Sequence, residues 1–410
     1  MWRLTIAIFA PVQEPIPGIS GQDNMGYAGT ERVVACLVKG LYDLGHDVHL
    51  FAAGNSSEEI KQFCTFHAIE ECSLRQKPPY DKDVPAREGR APFAAMTALF
   101  LATELKGVKI DIIINHLGFQ ALAPYMMNPT IPMVTVLHGY LGAAVEREAY
   151  LHPRLLGHPV ISISRDQLRH LPGLSAVGTV YNPIPDIFDF RGAENTEIVW
   201  PEKIGLRAGS YLAWVGRFSP EKRPHIAMKV AIRTGIPLVM AGKREAHEEK
   251  YWNEKIQPLL DKYPELLKFI GEVNDSEKNM LMGGALAFLM PINWHEPFGL
   301  VVPEAMYCGT PVIATRMGSM EELIVHGKTG YLVTPHASED HLISEFSVRV
   351  RSVHKIDRAF CRFEARRRFG TGAAARGYTD ICRAVLLKRE QEKREREEKR
   401  EQKKYTGNFR

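Results

Sequence analysis

Two glutamates, Glu296 and Glu304, bracket the mostly apolar run HEPFGLVVPEAMYCGTP at residues 295–311. Carboxylates so placed suit three chemistries. They accept hydrogen bonds from sugar hydroxyls, they serve as an acid and nucleophile pair on a glycoside, or they are a loop acid and an exposed helix acid. Position bears on the choice. The run follows the strand-like ALAFLMP through the connection INWHEPFG, and its helix is expected to begin near Gly299 or Leu300 and stop at Gly309. The first N–H groups of that helix, at the turn Phe298-Gly299-Leu300, then face the carboxyl end of a strand, where an anion is favoured. A second cluster, VGRFSPEKRPH, places Arg217 directly after a strand and Lys222 five residues on. A planar fork beside a point charge suits a diphosphate; a solvated basic turn is the plainer alternative. His138 ends the strand-like PMVTVLH and precedes Gly139, Gly29 stands at a strand-to-helix turn in GYAGTERVV, and Val273 lies in FIGEVNDSEK.

These residues need a frame. LTIAIFA, DVHLFAA, DIIINH, PMVTVLH and PVISIS read as strands, separated by helical spacing such as Thr30 to Leu44, with Gly45 as its stop. Strand and helix in alternation imply a parallel sheet covered on both faces. The segment from Pro183 to Gly209 is rich in Pro, Gly and charge and reads as a linker. Alternation then resumes with YLAWVG, a helix from Glu221, IPLVMAG, a helix around Tyr251, LKFIG, a helix from Ser276, ALAFLMP and PVIAT. The expected fold class is therefore α/β, with two doubly wound, Rossmann-like domains and a cleft between them. The expected division is 1–183, a linker at 184–209, 210–371, a helix at 372–387 returning to the first domain, and a charged helical tail at 388–410.

Bulk composition agrees with two ordinary domains. The chain has 410 residues, 45% hydrophobic, and a formal net charge of +4. That length exceeds one core, and that charge argues against a wholly basic nucleic-acid-binding surface. The six cysteines form no CxxC and no zinc-like spacing with His, as expected of reduced thiols in the cytoplasm. The opening MWRLTIAIFAPVQEP reads as a first buried strand rather than a signal peptide. RFEARRRFG at 362–370 pairs four arginines with two phenylalanines, which raises contact with an anionic membrane beside the plainer solvated helix face.

The pattern G-R-x-x-x-x-K followed by E-x7-E, with GYAGTERVV, LGHDVHLFAAG and VTVLHGY earlier in the chain, resembles the family-4 retaining glycosyltransferases of the GT-B fold across residues 1 to 385. The resemblance implies sugar transfer from a nucleotide-sugar donor with retention at the anomeric carbon. It implies that Glu304 holds the ribose and Glu296 the sugar hydroxyls, and that Arg217 and Lys222 clamp the diphosphate. The N–H groups near Gly299 and Leu300 add to that clamp, His138 lies beside the donor sugar, and Val273 lies near the base. Relatives often carry Gly-Gly where this chain has Ala28-Gly29. No cofactor and no metal are expected, since fixed cations neutralise a departing phosphate; the nucleotide sugar is a substrate. The expected location is cytoplasmic, with a peripheral place on the inner membrane face as the second reading. The nucleotide, the sugar, the acceptor (lipid-linked sugar, polysaccharide or small molecule) and the oligomeric state stay open. A glycoside hydrolase, a same-fold epimerase or phosphorylase, and a non-catalytic binding protein are the competing readings.

Overall fold

Strands buried on both faces need apolar residues at every position, and β1 (Thr5–Phe9) shows the result. Ile6 and Ile8 enter one apolar cluster while Ala7 and Phe9 enter another on the opposite face. The computed structural model describes residues 3–20, 29–74, 84–127, 129–155, 157–191 and 205–407. Ala28, part of the loop QEPIPGISGQDN, residues 192–204 of the expected linker and the last three residues lie outside the described residues.

The chain builds two parallel sheets. The first runs β3-β2-β1-β4-β5-β6-β7, with β2 (Asp47–Ala53), β3 (Thr65–Glu70), β4 (Ile112–Asn115), β5 (Met133–Leu137), β6 (Val160–Ser162) and β7 (Gly178–Thr179). The second runs β10-β9-β8-β11-β12-β13, with β8 (Leu212–Val215), β9 (Leu238–Ala241), β10 (Leu267–Phe269), β11 (Ala287–Met290), β12 (Val312–Thr315) and β13 (Gly330–Val333). Strand order reverses between β1 and β4 and again between β8 and β11. Each reversal opens a crevice at the carboxyl ends of those strands, and this is the α/β GT-B arrangement of two Rossmann-like halves.

Sequence periodicity passed over β3, β7 and β13. β3 is an edge strand, TFHAIE, that is only partly buried, and β7 has two residues, so neither makes a full apolar run. The helix expected from Glu221 instead starts at Pro224, with Arg223 before it at φ 50°. The Lys222 and Arg223 N–H groups bond back to Ser219 O, so residues 216–223 stay a loop. That correction matters, because it leaves Arg217 and Lys222 on a strand-end loop.

The two halves share a core. One apolar cluster runs from Ile6 through Ile184, Phe188, Phe369 and Tyr378 to Met306. Part of the expected linker is therefore packed: Ile184 N donates to Phe369 O at 2.8 Å, and Phe188 is fully buried. The final helix, Thr371–Gly407, is continuous, with no break near residue 387. It buries Ala374, Ala375, Tyr378 and Cys382, lies against the helix Gly29–Asp43 (α1), and is exposed over residues 388–402. Arg389 anchors the exposed part by donating to the carbonyls of Pro129 and Thr130 at 3.0 Å.

The arginine cluster at 362–370 does not present a free basic face. Arg362 is buried, Arg366 pairs with Asp189, Arg367 with Glu364, and Arg368 donates to the carbonyls of Glu322 and Leu323. Phe369 is in the core. Arg366 and Arg367 remain about half-exposed beside their acids, and Phe363 is exposed. Among the described residues no helix is long and apolar enough to cross a membrane.

Candidate active site

The crevices of the two sheets face each other. Between them lies a cleft of about 360 Å³, lined from the first sheet by Gly29 and His138 and from the second by Arg217, Lys222, Glu296, Phe298, Gly299 and Leu300. Each stands just beyond a strand end or at a helix start, as doubly wound sheets place ligand groups. Two expected residues stand apart. Val273 is half-buried against the core and does not line the cleft. Glu304 is fully buried, one turn inside the helix Val301–Tyr307, so it is not an exposed helix acid.

The acids and bases of the second half are paired. Lys222 Nζ bonds Glu296 Oε2 and lies 4.9 Å from the centroid of the Trp294 ring, while Trp294 Nε1 donates to the same carboxylate oxygen at 3.1 Å. Arg217 is half-exposed and, among the described residues, pairs with Glu221 at 3.4 Å. Glu304 Oε1 receives Lys278 Nζ at 2.8 Å and Arg32 Nη1 at 3.5 Å. Asp275 closes this network, 2.7 Å from Arg32 and 3.4 Å from Lys278. The second oxygen, Glu304 Oε2, is buried without a partner. A carboxylate left with an unfilled buried acceptor is a place for a ligand hydroxyl. Paired with Lys278 and Arg32 and buried, it does not suit a hydrolase nucleophile, which needs an open line of attack on the anomeric carbon.

On the first half, His138 is not alone. His116 Nδ1 and His138 Nε2 are 2.7 Å apart with their rings stacked at 5.0 Å, so one proton lies between them. Burial drives the His138 pKa down to about 4 and that of His116 well below its ordinary value. Both are therefore neutral near pH 7. A second cavity of about 360 Å³ lies beside them, lined by Gln13, His116, Gln120 and Glu146. It shares Thr30, His138, Gly139 and Tyr140 with the cleft, so two compartments meet at His138.

The buried neutral histidines make a pH prediction. His67, His138 and His158 are each held at about 4 by burial. In the unfolded chain they take up protons near pH 6.5. Folding stability is then fully present above about pH 6.5 and is lost as pH falls toward 4, because only the unfolded state gains protons there. For His138 alone the loss is on the order of 3 kcal/mol by pH 4. Denaturant melts across that window should show it, and His138→Gln should flatten the fall. An equally steep fall in that variant would assign the titration elsewhere.

Two glycines permit the close approaches. A Cβ on Gly29 would lie 2.8 Å from Leu300 Cδ1, across the cleft on the other half. Gly318, at φ 62°, passes so close to Glu296 that a Cβ would collide with its backbone, and Ser319 N donates to Glu296 O at 3.0 Å. At Gly29 the first half thus meets the end of the Leu300 side chain of the second, and a larger side chain there has to displace it. Gly29→Val should prop the cleft open and weaken nucleotide affinity by about 1–3 kcal/mol, the usual cost of overpacking. Calorimetry checks it; unchanged affinity would detach Gly29 from the gap.

Sequence reading missed Arg32, Lys278, His116, Trp294 and Gly318. Arg32 and Lys278 sit in charged helical stretches and look there like solvated residues. One signal existed for Lys278. The capping box of Asn274 and Glu277 sets the start of the helix Asp275–Gly283, which fixes which way its first turn faces.

Known proteins are similar to this chain in sequence and in fold. Residues 27–180 match the family model described as Glycosyltransferase Family 4, and residues 200–347 match Glycosyl transferases group 1. N-acetyl-alpha-D-glucosaminyl L-malate synthase of Bacillus anthracis is 24% identical over 337 residues, covering 77% of this chain and 81% of the relative. D-inositol 3-phosphate glycosyltransferase of Pseudarthrobacter chlorophenolicus is 32% identical over 142 residues, 33% of this chain and 34% of that relative. The crystal structure of Anabaena HepE in complex with UDP superposes with a TM-score of 0.67 at 18% identity, over 93% of this chain and 100% of that one. The two family models fall one on each half, and the carboxyl ends of both sheets carry the residues that the cleft brings together; the chain belongs to the family-4, group 1 glycosyltransferases.

Proposed function

We propose that the chain moves a glycosyl group from a nucleoside-diphosphate sugar to a hydroxyl acceptor, with retention at the anomeric carbon and no metal in the chemical step. The observation that carries this reading is the meeting of two compartments at His138, one of them backed by Arg217 and Lys222. HepE, a neighbour of the same fold, is solved in complex with UDP, which supports a nucleotide as a ligand.

In this reading the diphosphate lies against Arg217, Lys222 and the turn at Gly299 and Leu300, while the ribose fills the free acceptor of Glu304. Glu296 receives hydroxyls of the donor sugar. The anomeric carbon then faces His138 and the first-domain cavity. As the bond from that carbon to the phosphate oxygen breaks, negative charge grows on the diphosphate, where two fixed cations stabilise it. The acceptor oxygen bonds the same carbon from the side the phosphate leaves, and its proton passes to the departing phosphate oxygen. A histidine held at about 4 is a weak base at neutral pH, so His138 positions hydroxyls rather than removing the proton.

The test is release of nucleoside diphosphate from UDP-, GDP- and ADP-sugars, with and without a panel of hydroxyl acceptors. Acceptor-dependent release from one donor, with a product whose anomeric configuration matches the donor by NMR, is the expected result. Release without acceptor, or an inverted product, would overturn the reading.

A further inference from the structure

A further polar contact joins the two halves outside the cleft. It lies between the short helix Arg165–Arg169 of the first half and the loop that ends in Glu296 on the second. Asp166 Oδ2 is 3.4 Å from His170 Nε2 and 3.4 Å from His295 Nδ1. The three donor atoms all lie within 4.8 Å of one another. Both 3.4 Å separations are long for a charge-assisted hydrogen bond, which closes at about 2.7–2.9 Å. These two separations are close to the edge of a tetrahedron, about 3.3 Å when its ligands stand about 2.0–2.1 Å from a central zinc ion, and the third, between the two imidazoles, lies within 4.8 Å.

The donor set and its setting agree with that geometry. Two imidazole nitrogens and one carboxylate oxygen suit Zn²⁺, with the fourth position left for water. Asp166 and His170 are four residues apart, on one face of the turn. Asp166 is buried, and its other oxygen lies 3.6 Å from Arg169. The His295 side chain is half-exposed, which leaves the fourth position open toward solvent.

We propose that Asp166, His170 and His295 form an interdomain zinc site that holds the cleft closed. The site goes beyond the transfer reaction: none of the three residues lines the cleft. It acts on that cleft through position, because His295 is the peptide neighbour of Glu296. The second half already grips the same helix, since Glu322 accepts the N–H groups of Arg165 at 2.9 Å and Asp166 at 2.7 Å. Zinc ties down the other end of the helix. Ligands from both halves meet only when the halves are together, so the ion binds that arrangement and shifts the population toward it.

The experiment uses the untagged full chain, stripped of metal and titrated with Co²⁺ as a spectroscopic stand-in. The expected result is the visible absorption of tetrahedral cobalt, saturating near one equivalent and displaced by Zn²⁺. His170→Ala and His295→Ala should each weaken this binding by roughly tenfold or more. Zn²⁺ should raise the thermal midpoint of the unaltered chain and not of either variant. The two substitutions lie on different halves, so a local disturbance in one does not imitate the loss in the other. Absence of the tetrahedral absorption, or its survival in both variants, would overturn the proposal. Neither readout needs turnover, so failure of the transferase assay would leave the zinc result interpretable.

Discussion

Lys222→Ala is expected to lower kcat by about 10²–10³-fold, the usual effect of removing one preorganised donor from a developing anion. In the free protein the ammonium bonds Glu296 and lies over Trp294. Both groups hold the cation beside the place assigned to the departing phosphate. Arg217 does not replace it, because its side chain is half-exposed and adds its charge from a different side of the loop. Another explanation of a slow Lys222→Ala enzyme is an uncompensated Glu296, and a double-mutant cycle separates the two. If Lys222 serves only to neutralise Glu296, Lys222→Ala should cost little when Glu296→Gln is already present. If it serves the leaving group, Lys222→Ala should slow the Glu296→Gln enzyme about as much as it slows the original. Loss of that effect in the Glu296→Gln background would remove Lys222 from the reaction. Pyrophosphate affinity should fall in Lys222→Ala as well, because that contact needs no sugar or base.

Glu304→Ala is expected to act on stability and on nucleotide binding at once. Removing one partner of a buried ion pair typically costs about 3–5 kcal/mol. Lys278 keeps Asp275 at 3.4 Å, which places the loss at the lower end of that range. The substitution also removes the unfilled acceptor proposed for the ribose, worth about 1.5–3 kcal/mol of affinity when the hydrogen bond is to a charged group. Calorimetry distinguishes this from a general collapse of the site. A nucleoside diphosphate should bind more weakly to Glu304→Ala, while pyrophosphate, which has no ribose, should bind as before. Equal losses for the two ligands would mean that the network only supports the fold. Asp275→Asn is the control, since it disturbs Arg32 and Lys278 without touching the free oxygen of Glu304.

The two predictions rest on residues that were legible to different degrees. Lys222 was readable as a ligand for an anion because it follows a strand-like run that had to be buried. Its exact loop was not readable, since EKRPHIAMKV has helical spacing and only Pro224 and the back-bonds to Ser219 hold the helix start away from Glu221. Glu304 was readable as an acid on a helix after a strand, but not as a buried one. Its partners Arg32 and Lys278 look, within their own segments, like any charge on a solvated helix face. The same limit explains RFEARRRFG, whose arginines read as a basic face and instead meet Asp189, Glu364 and two carbonyls.

The sequence by itself determined the two doubly wound sheets and the strand ends that carry His138, Arg217 and Glu296. A parallel strand covered on both faces must be apolar throughout, and the polar residue that ends such a run must lie at the rim where ligands bind. Only the tertiary structure decided which of these groups face one another. Arg32 reaches Asp275 and Glu304, Glu322 holds Arg165 and Asp166, Gly29 touches Leu300, and His116 shares a proton with His138. Each pair joins residues from separate elements, most of them from opposite halves of the chain. Their meeting depends on how the halves dock, and no local periodicity encodes that.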